Sequence, residues 1–225
     1  MDSSFIQTMM LTFKLASLTT IILLPIGVFL GYYLANTTSK FKPFIEALVS
    51  MPLVLPPSVL GFYLLLTFSP KSALGSFLQE HFDVKLVFSF EGLVLASIIF
   101  SFPFMVNPIY SGFASLSKSL KEASYTLGKG FLATLWYVLL PNIKPSLLSA
   151  MVITFAHTIG EFGVVLMIGG NIAGETRVAS IAIYDEVEAL NYTLASHYAL
   201  TLFVISFVIL VVVFTINKKL LHSSV

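Results

Sequence analysis

The chain has 225 residues, 57% of them hydrophobic and 10% charged, with a mean hydropathy of +0.94 and a net charge of +1. Soluble domains carry roughly 25% charged residues, so this composition excludes a water-soluble globular protein and describes an integral membrane protein. Cysteine is absent, which excludes disulfides, thiolate catalysis and cysteine metal sites.

The N-terminus, MDSSFIQTMMLTFK, has neither the basic start nor the small-residue cleavage site of a secretory signal, so the first apolar run is expected to be retained as a span. Crossing about 30 Å of hydrocarbon takes about 20 helical residues. Leu15–Ala35, Ala47–Pro70, Gly92–Ser117 and Ala189–Asn217 are free of Asp, Glu, Lys and Arg, and Pro145 to Gly170 carries only Glu161. The expectation is an all-α polytopic protein, a single membrane domain over residues 1–225 with five spans near 12–35, 45–69, 91–113, 145–169 and 195–217. FLATLWYVLLPNI (131–143) has 13 residues between Lys129 and Lys144, which is too short to cross, so it should lie at the interface or re-enter.

Orientation follows the placement of Lys and Arg in short loops. With the N-terminus outside and the C-terminus in the cytoplasm, Lys40, Lys42, Lys118, Lys121, Lys129, Lys144, Lys218 and Lys219 are internal, and Lys14, Lys71, Lys85 and Arg177 are external. Eight against four favours this arrangement, in which Glu175, Asp185, Glu186 and Glu188 gather in the last external loop. It also places residues 113–144 in the cytoplasm.

That internal segment contains the elements of a short helix. Ser117 or Ser119 can cap it, Ser119 and Glu122 have capping-box spacing, and Gly128 can end it in the left-handed conformation. A second apolar helix ending at Pro141 would complete a compact cytoplasmic knob; an ordinary interhelical loop is the alternative. Trp136, Tyr137 and Tyr125 suit either interfacial anchoring or contact with a partner. No G-x-x-x-x-G-K-[ST] phosphate loop occurs, and Gly128-Lys129-Gly130 lacks its spacing, so the chain is not expected to hydrolyse ATP or to have catalytic residues.

Glu122-Ala123-Ser124, then Gly128, then Val138, Leu140 and Pro141 resemble the E-A-A-x3-G-x9-I-x-L-P motif of ABC-importer permeases. Every spacing fits; Ser124 stands for the second alanine and Val138 for isoleucine. The resemblance implies the type I importer permease fold. It also implies that Glu122, Ala123, Ser124, Gly128, Leu140 and Pro141 belong to a coupling segment, at about 117–141, that docks on a separate ATPase. PLVLPPSVLGFYLL (52–65), FSFPFMVNPIYSGF (100–113), GEFG (160–163), IGGN (168–171) and ETRVASIAIYDEVE (175–188) are similar to the molybdate or tungstate type of these permeases, and GEFG is shared with sulfate and thiosulfate permeases. The partners so implied are two ATPase copies, an external or periplasmic oxyanion-binding protein and a second copy of the chain, in the cytoplasmic membrane. Nucleic acid and a bound cofactor are not expected.

The uncharged runs contain no Lys or Arg, so they offer no tight cationic site for a dianion. This suits a path of weak contacts from hydroxyls, backbone N–H groups and the positive ends of broken helices. Pro52, Pro56 and Pro57 in the second run and Pro103 and Pro108 in the third interrupt helical hydrogen bonding. Irregular backbone in a bilayer is tolerated where protein or a water-filled cavity surrounds it; spans two to four are therefore expected to line a cavity, the alternative being kinks that serve packing.

FAHTIGEFG (155–163) puts His157 and Glu161 four residues apart, so they are expected to share one helix face, with Thr154 and Thr158 close by. Three readings stand: part of a translocation lining or gate, a polar contact that fixes packing, or a metal or proton-relay site, for which two residues are too few ligands. Gly160 and Gly163 should allow close helix approach. His81, His197 and His222 suit solvated or interfacial positions, and the acidic stretch at 185–188 either contacts a binding protein or is a solvated loop. An ion-coupled secondary transporter using His157 and Glu161, and a scaffold without substrate, are the alternatives of other classes.

Overall fold

The computed structural model describes residues 3–222, with side chains to residue 217, and the described residues form helices and no strands. Lys218, Lys219 and His222, used above for orientation and as a tail residue, have side chains outside the described ones. The helices are α1 (Ser3–Asn36), α2 (Lys42–Val54), α3 (Pro57–Phe68), α4 (Ala73–Phe82), α5 (Phe90–Ala114) and α6 (Lys118–Thr126). They continue with α7 (Phe131–Thr134), α8 (Leu140–Asn142), α9 (Lys144–Gly160), α10 (Gly163–Gly169), α11 (Ala179–Glu188) and α12 (Tyr192–His222).

Three helices, α1, α5 and α12, are long and apolar enough to cross a bilayer, and two bent pairs raise the number to five. The first pair is α2 with α3, bent by 108° at Leu55–Pro56. Proline provides the reason. Pro57 has no N–H and its ring excludes a helical carbonyl four residues back, so the chain must start a new helix there. The second pair is the Phe131–Asn142 helix with α9, bent by 76° at Ile143, so 131–143 leads into a longer helix through a corner.

The fourth apolar run is not one helix to residue 169. α9 ends at Gly160, Glu161 takes an extended conformation (φ −68°, ψ 130°), and α10 starts at Gly163. Hydropathy registers the composition of this run and is blind to the break in its hydrogen bonding.

The core is built around α1, α5 and α9. Leu23, Met105, Ile109, Phe113, Leu140 and Ile143 close one end of it. Leu15, Leu93, Val164, Val165 and Ile181 close the other, where α3, α10 and α11 pack. The buried Thr12 hydroxyl accepts a 2.8 Å hydrogen bond from the Ala179 backbone N–H, which ties the start of α11 to α1. α12 lies along α9 and α11, leaving an apolar flank exposed from Leu200 to Ile216.

Candidate functional site: a protruding helix and a buried polar seam

Two regions hold the residues singled out above. The first is α6 and its sequel. Ser117 precedes α6 in an extended conformation but makes no side-chain cap, and Ser119 Oγ donates to Ser117 Oγ at 3.0 Å, so the capping box does not form. Ser119 is already the second helical residue, two positions past the cap and too late for that role. The other end is as the spacing requires. Gly128 has φ +75°, its N–H donates to Tyr125 O at 2.9 Å and the Lys129 N–H donates to Ser124 O at 3.2 Å, which is a Schellman closure.

Glu122, Ala123, Tyr125, Leu127 and Gly128 are exposed, and Leu127 and Trp136 are large apolar side chains held out of any core. Ser124 is the exception. It is buried and its hydroxyl shares a 2.9 Å hydrogen bond with buried Thr134, tying α6 to α7. The departure from the alanine of the motif thus has a partner ten residues on. Between α7 and α8 the backbone makes a π turn over Leu135–Leu139, which accommodates Pro141 inside the helix. The helix runs past Pro141 to Asn142, whose amide donates to Val138 O at 2.7 Å, so the expected end at Pro141 shifts by one residue. Leu140 is buried among Leu23, Met105, Ile109 and Phe113, and Pro141 is half-buried beside it. The motif therefore divides into an outward face, Glu122, Ala123 and Gly128, and an inward anchor, Ser124, Leu140 and Pro141. Lys121 joins α6 to the end of α1 by a 3.2 Å hydrogen bond to Asn36 Oδ1 and by lying over the Tyr32 ring, beside a cleft of about 410 Å³.

The second region is a seam between α5 and α9. Ser101 Oγ lies 3.1 Å from His157 Nδ1 and 3.0 Å from Thr158 Oγ1, and Thr158 Oγ1 donates to Thr154 O at 2.9 Å. The His157 ring stacks on Phe104 at 3.9 Å between centroids and tilts against Phe100 at 4.9 Å. Thr154, Thr158, Ser97 and Ser101 are buried. Glu161 is only 4% exposed, and neither carboxylate oxygen has a hydrogen-bond partner, although the Ser97 side chain is its neighbour. Its backbone carbonyl accepts from Ser180 Oγ at 2.5 Å. Because α9 has ended, Glu161 does not share a helical face with His157, contrary to the i, i+4 expectation. No group of three or more His, Asp and Glu close enough to hold a metal occurs among the described residues.

Pro56 and Pro57 are exposed at the α2–α3 break and lie beside the α9–α10 break: a Cβ on Gly163 would meet Pro57 Cβ at 3.0 Å. Gly61 likewise lets α3 approach α10, since its Cβ would meet Val164 Cα at 3.0 Å. Gly160 plays no such part, with nothing within 4 Å of its Cβ position. Sequence reasoning missed Ser97 and Ser101. The available signal was their own i, i+4 spacing in an apolar run, matching that of Thr154 and Thr158.

A broken-helix membrane bundle with a protruding short helix is the architecture of an ABC-importer permease, and solved structures share it. The chain superposes with TM-score 0.81 at 18% identity on a bacterial ABC transporter involved in the import of the acidic polysaccharide alginate, covering 97% of this chain and 80% of that one. It superposes with TM-score 0.69 at 19% identity on the MetNI methionine ABC transporter in an inward-facing conformation, covering 96% and 94%. Residues 23–223 match the family of binding-protein-dependent transport system inner membrane components, and the chain belongs to that family. It is 43% identical to the molybdenum transport system permease protein ModB of Azotobacter vinelandii, over 92% of each chain. Identity to ModB of Escherichia coli strain K12 is 34%, over 81% of this chain and 80% of that one. With the sulfate transport system permease protein CysT of Salmonella typhimurium it is 30%, over 86% and 69%.

Proposed function

We propose that the chain is the permease subunit of an ATP-driven importer that carries molybdate or tungstate across the cytoplasmic membrane by alternating access. The observation that carries this reading is the 43% identity with a molybdenum permease over 92% of both chains. Among the described residues one copy has a single protruding helix and up to five spans, too few to enclose a cavity, so the working unit is a homodimer with two separate ATPase subunits on the cytoplasmic side. An external binding protein delivers the anion. The N-terminus is outside, and the acidic stretch 185–188 faces the binding protein.

ATPase closure pushes on the exposed face of α6, at Glu122, Ala123 and Gly128. The Ser124–Thr134 bond and the π turn pass the push to Leu140, Pro141 and the corner at Ile143, and so to α9. α9 carries Thr154, His157 and Thr158 against α5, and its end at Glu161 is next to the Pro56–Pro57 break, so these residues line or gate the path. ATP hydrolysis falls to the separate ATPase subunits, since this sequence has no phosphate loop.

A sulfate or thiosulfate permease is the second reading, favoured by the 30% identity with the sulfate permease. Molybdenum accumulation in cells with and without the chain, at low external molybdate and in large sulfate excess, decides between them. Accumulation that requires the chain and resists sulfate supports the molybdate reading; chain-dependent accumulation erased by sulfate supports the other.

A further inference from the structure

We propose that His157 meets the translocated anion with a lone pair and not with an N–H, so that a dianion passes it only together with one proton. The inference rests on the reading above that the open face of α9 lines the path, and it is carried by a count of protons in the seam. Thr158 has one hydroxyl proton, and the carbonyl of Thr154 at 2.9 Å can only accept. With that proton used, Thr158 Oγ1 accepts from Ser101, 3.0 Å away. Ser101 has then given its only proton and must accept from His157 Nδ1 at 3.1 Å. Running the chain the other way would leave Thr158 Oγ1 facing the Thr154 carbonyl with no proton between them, so one order alone satisfies all three contacts. The neutral ring therefore carries its proton on Nδ1 and a lone pair on Nε2.

The ring is held in this attitude by Phe100 and Phe104, with centroids 4.9 and 3.9 Å away. Its single hydrogen bond among the described residues is through Nδ1. Its flank of the helix is open: Ile153 is 43% exposed, His157 half-buried, and Gly160 has no atom within 4 Å of its Cβ position.

A bare dianion is repelled by a lone pair. It is accommodated if the ring takes a second proton and donates from Nε2, or if the anion arrives singly protonated and donates its hydroxyl to Nε2. The two forms differ only in where the proton sits along one hydrogen bond. The proton comes from hydronium in the water on the entry side: one of its O–H bonds breaks, leaving water, as an N–H bond forms on Nε2 or an O–H bond on the anion, and the proton returns to water when the anion is released.

Among the described residues, no charged side chain substitutes for that proton. α5 offers His157 only Phe100, Ser101 and Phe104, and its one acid, Glu91, is in its first turn. The α1 ammonium, Lys14, lies 4.4 Å over the Phe90 ring. α9 has Lys144 at its start and Glu161 just beyond its end. On α11, Asp185 and Glu186 pair with Arg177 and Glu188 is exposed, and α12 has His197 in its second turn.

The test uses the transporter complex reconstituted in vesicles, with ATP-driven molybdate uptake at limiting anion read from about pH 6 to 8.5, beside ¹⁵N spectra of the same complex labelled at histidine. The signal lost in His157→Gln is expected to report a protonated Nδ1 and an unprotonated Nε2. Wild-type uptake is expected to fall up to tenfold per pH unit on the alkaline side. That slope should vanish in His157→Gln, whose amide N–H is always available, and flatten in Ser101→Ala, which frees the other tautomer. A protonated Nε2 overturns the proposal. A slope unchanged in His157→Gln also overturns it and leaves the importer reading standing. Uptake unchanged in both His157→Gln and His157→Trp takes His157 off the path, which sinks the lining assignment as well.

Discussion

Gly128 is the residue on which the shape of the protruding helix turns, and alanine there isolates conformation from bulk. A Cβ at this position meets nothing within 4 Å, so the cost of Gly128→Ala comes from φ +75° and not from a clash. For an L-residue the left-handed region costs roughly 1–2 kcal/mol, and the cost is smaller for asparagine. The two closing bonds, Gly128 N–H to Tyr125 O at 2.9 Å and Lys129 N–H to Ser124 O at 3.2 Å, are lost together when the residue leaves that region. A net loss of about 1 kcal/mol raises the open population of the cap about fivefold. Amide hydrogen exchange at residues 128 and 129, in membranes, reads this directly: protection should fall about fivefold in Gly128→Ala and by less in Gly128→Asn. Equal protection in Gly128→Ala and wild type, or a larger loss in Gly128→Asn than in Gly128→Ala, would refute the reasoning.

Ser124→Ala leaves the Thr134 hydroxyl, 1% exposed, without its partner and should destabilise the α6–α7 junction by roughly 1–3 kcal/mol. Ser124→Ala with Thr134→Val should recover most of this in a denaturant titration, and a strictly additive double variant would contradict the pairing. Thr12→Val removes the acceptor of the Ala179 N–H and should lower thermal stability by roughly 1–3 kcal/mol, read as a shift in Tm. Gly61→Leu drives a side chain into Met167 and the Val164 backbone, so α3 and α10 must separate, and the yield of folded protein after detergent extraction should drop sharply. Glu122→Lys reverses a charge on the exposed face of α6, where no core contact is lost; it should abolish ATP-driven uptake while membrane levels stay normal.

Much of the architecture can be read one residue and one turn at a time. Composition names the solvent, apolar run length names five candidate crossings, proline marks the α2–α3 break, and the interval from Glu122 to Pro141 identifies a protruding segment whose glycine has the required left-handed turn. These are properties of local chain stiffness and of transfer into lipid, and they need no distant neighbour. What failed locally failed for want of one. Four residues put His157 and Glu161 on one face only while a helix continues, and it stops between them. Ser119 has the spacing of a cap but not the place of one.

The contacts of the polar residues are set by packing. Ser101 meets His157 and Thr158 across 56 and 57 residues, Thr12 meets Ala179 across 167, and the Pro57 break lies against Gly163 because α3 and α10 pack closely through Gly61. A window of a few residues records that a hydroxyl or an imidazole sits in an apolar run. Which atom it faces, and so which nitrogen keeps its proton, depends on how α5 and α9 are set against each other, because a hydrogen bond is decided over about 3 Å in space and not by separation along the chain.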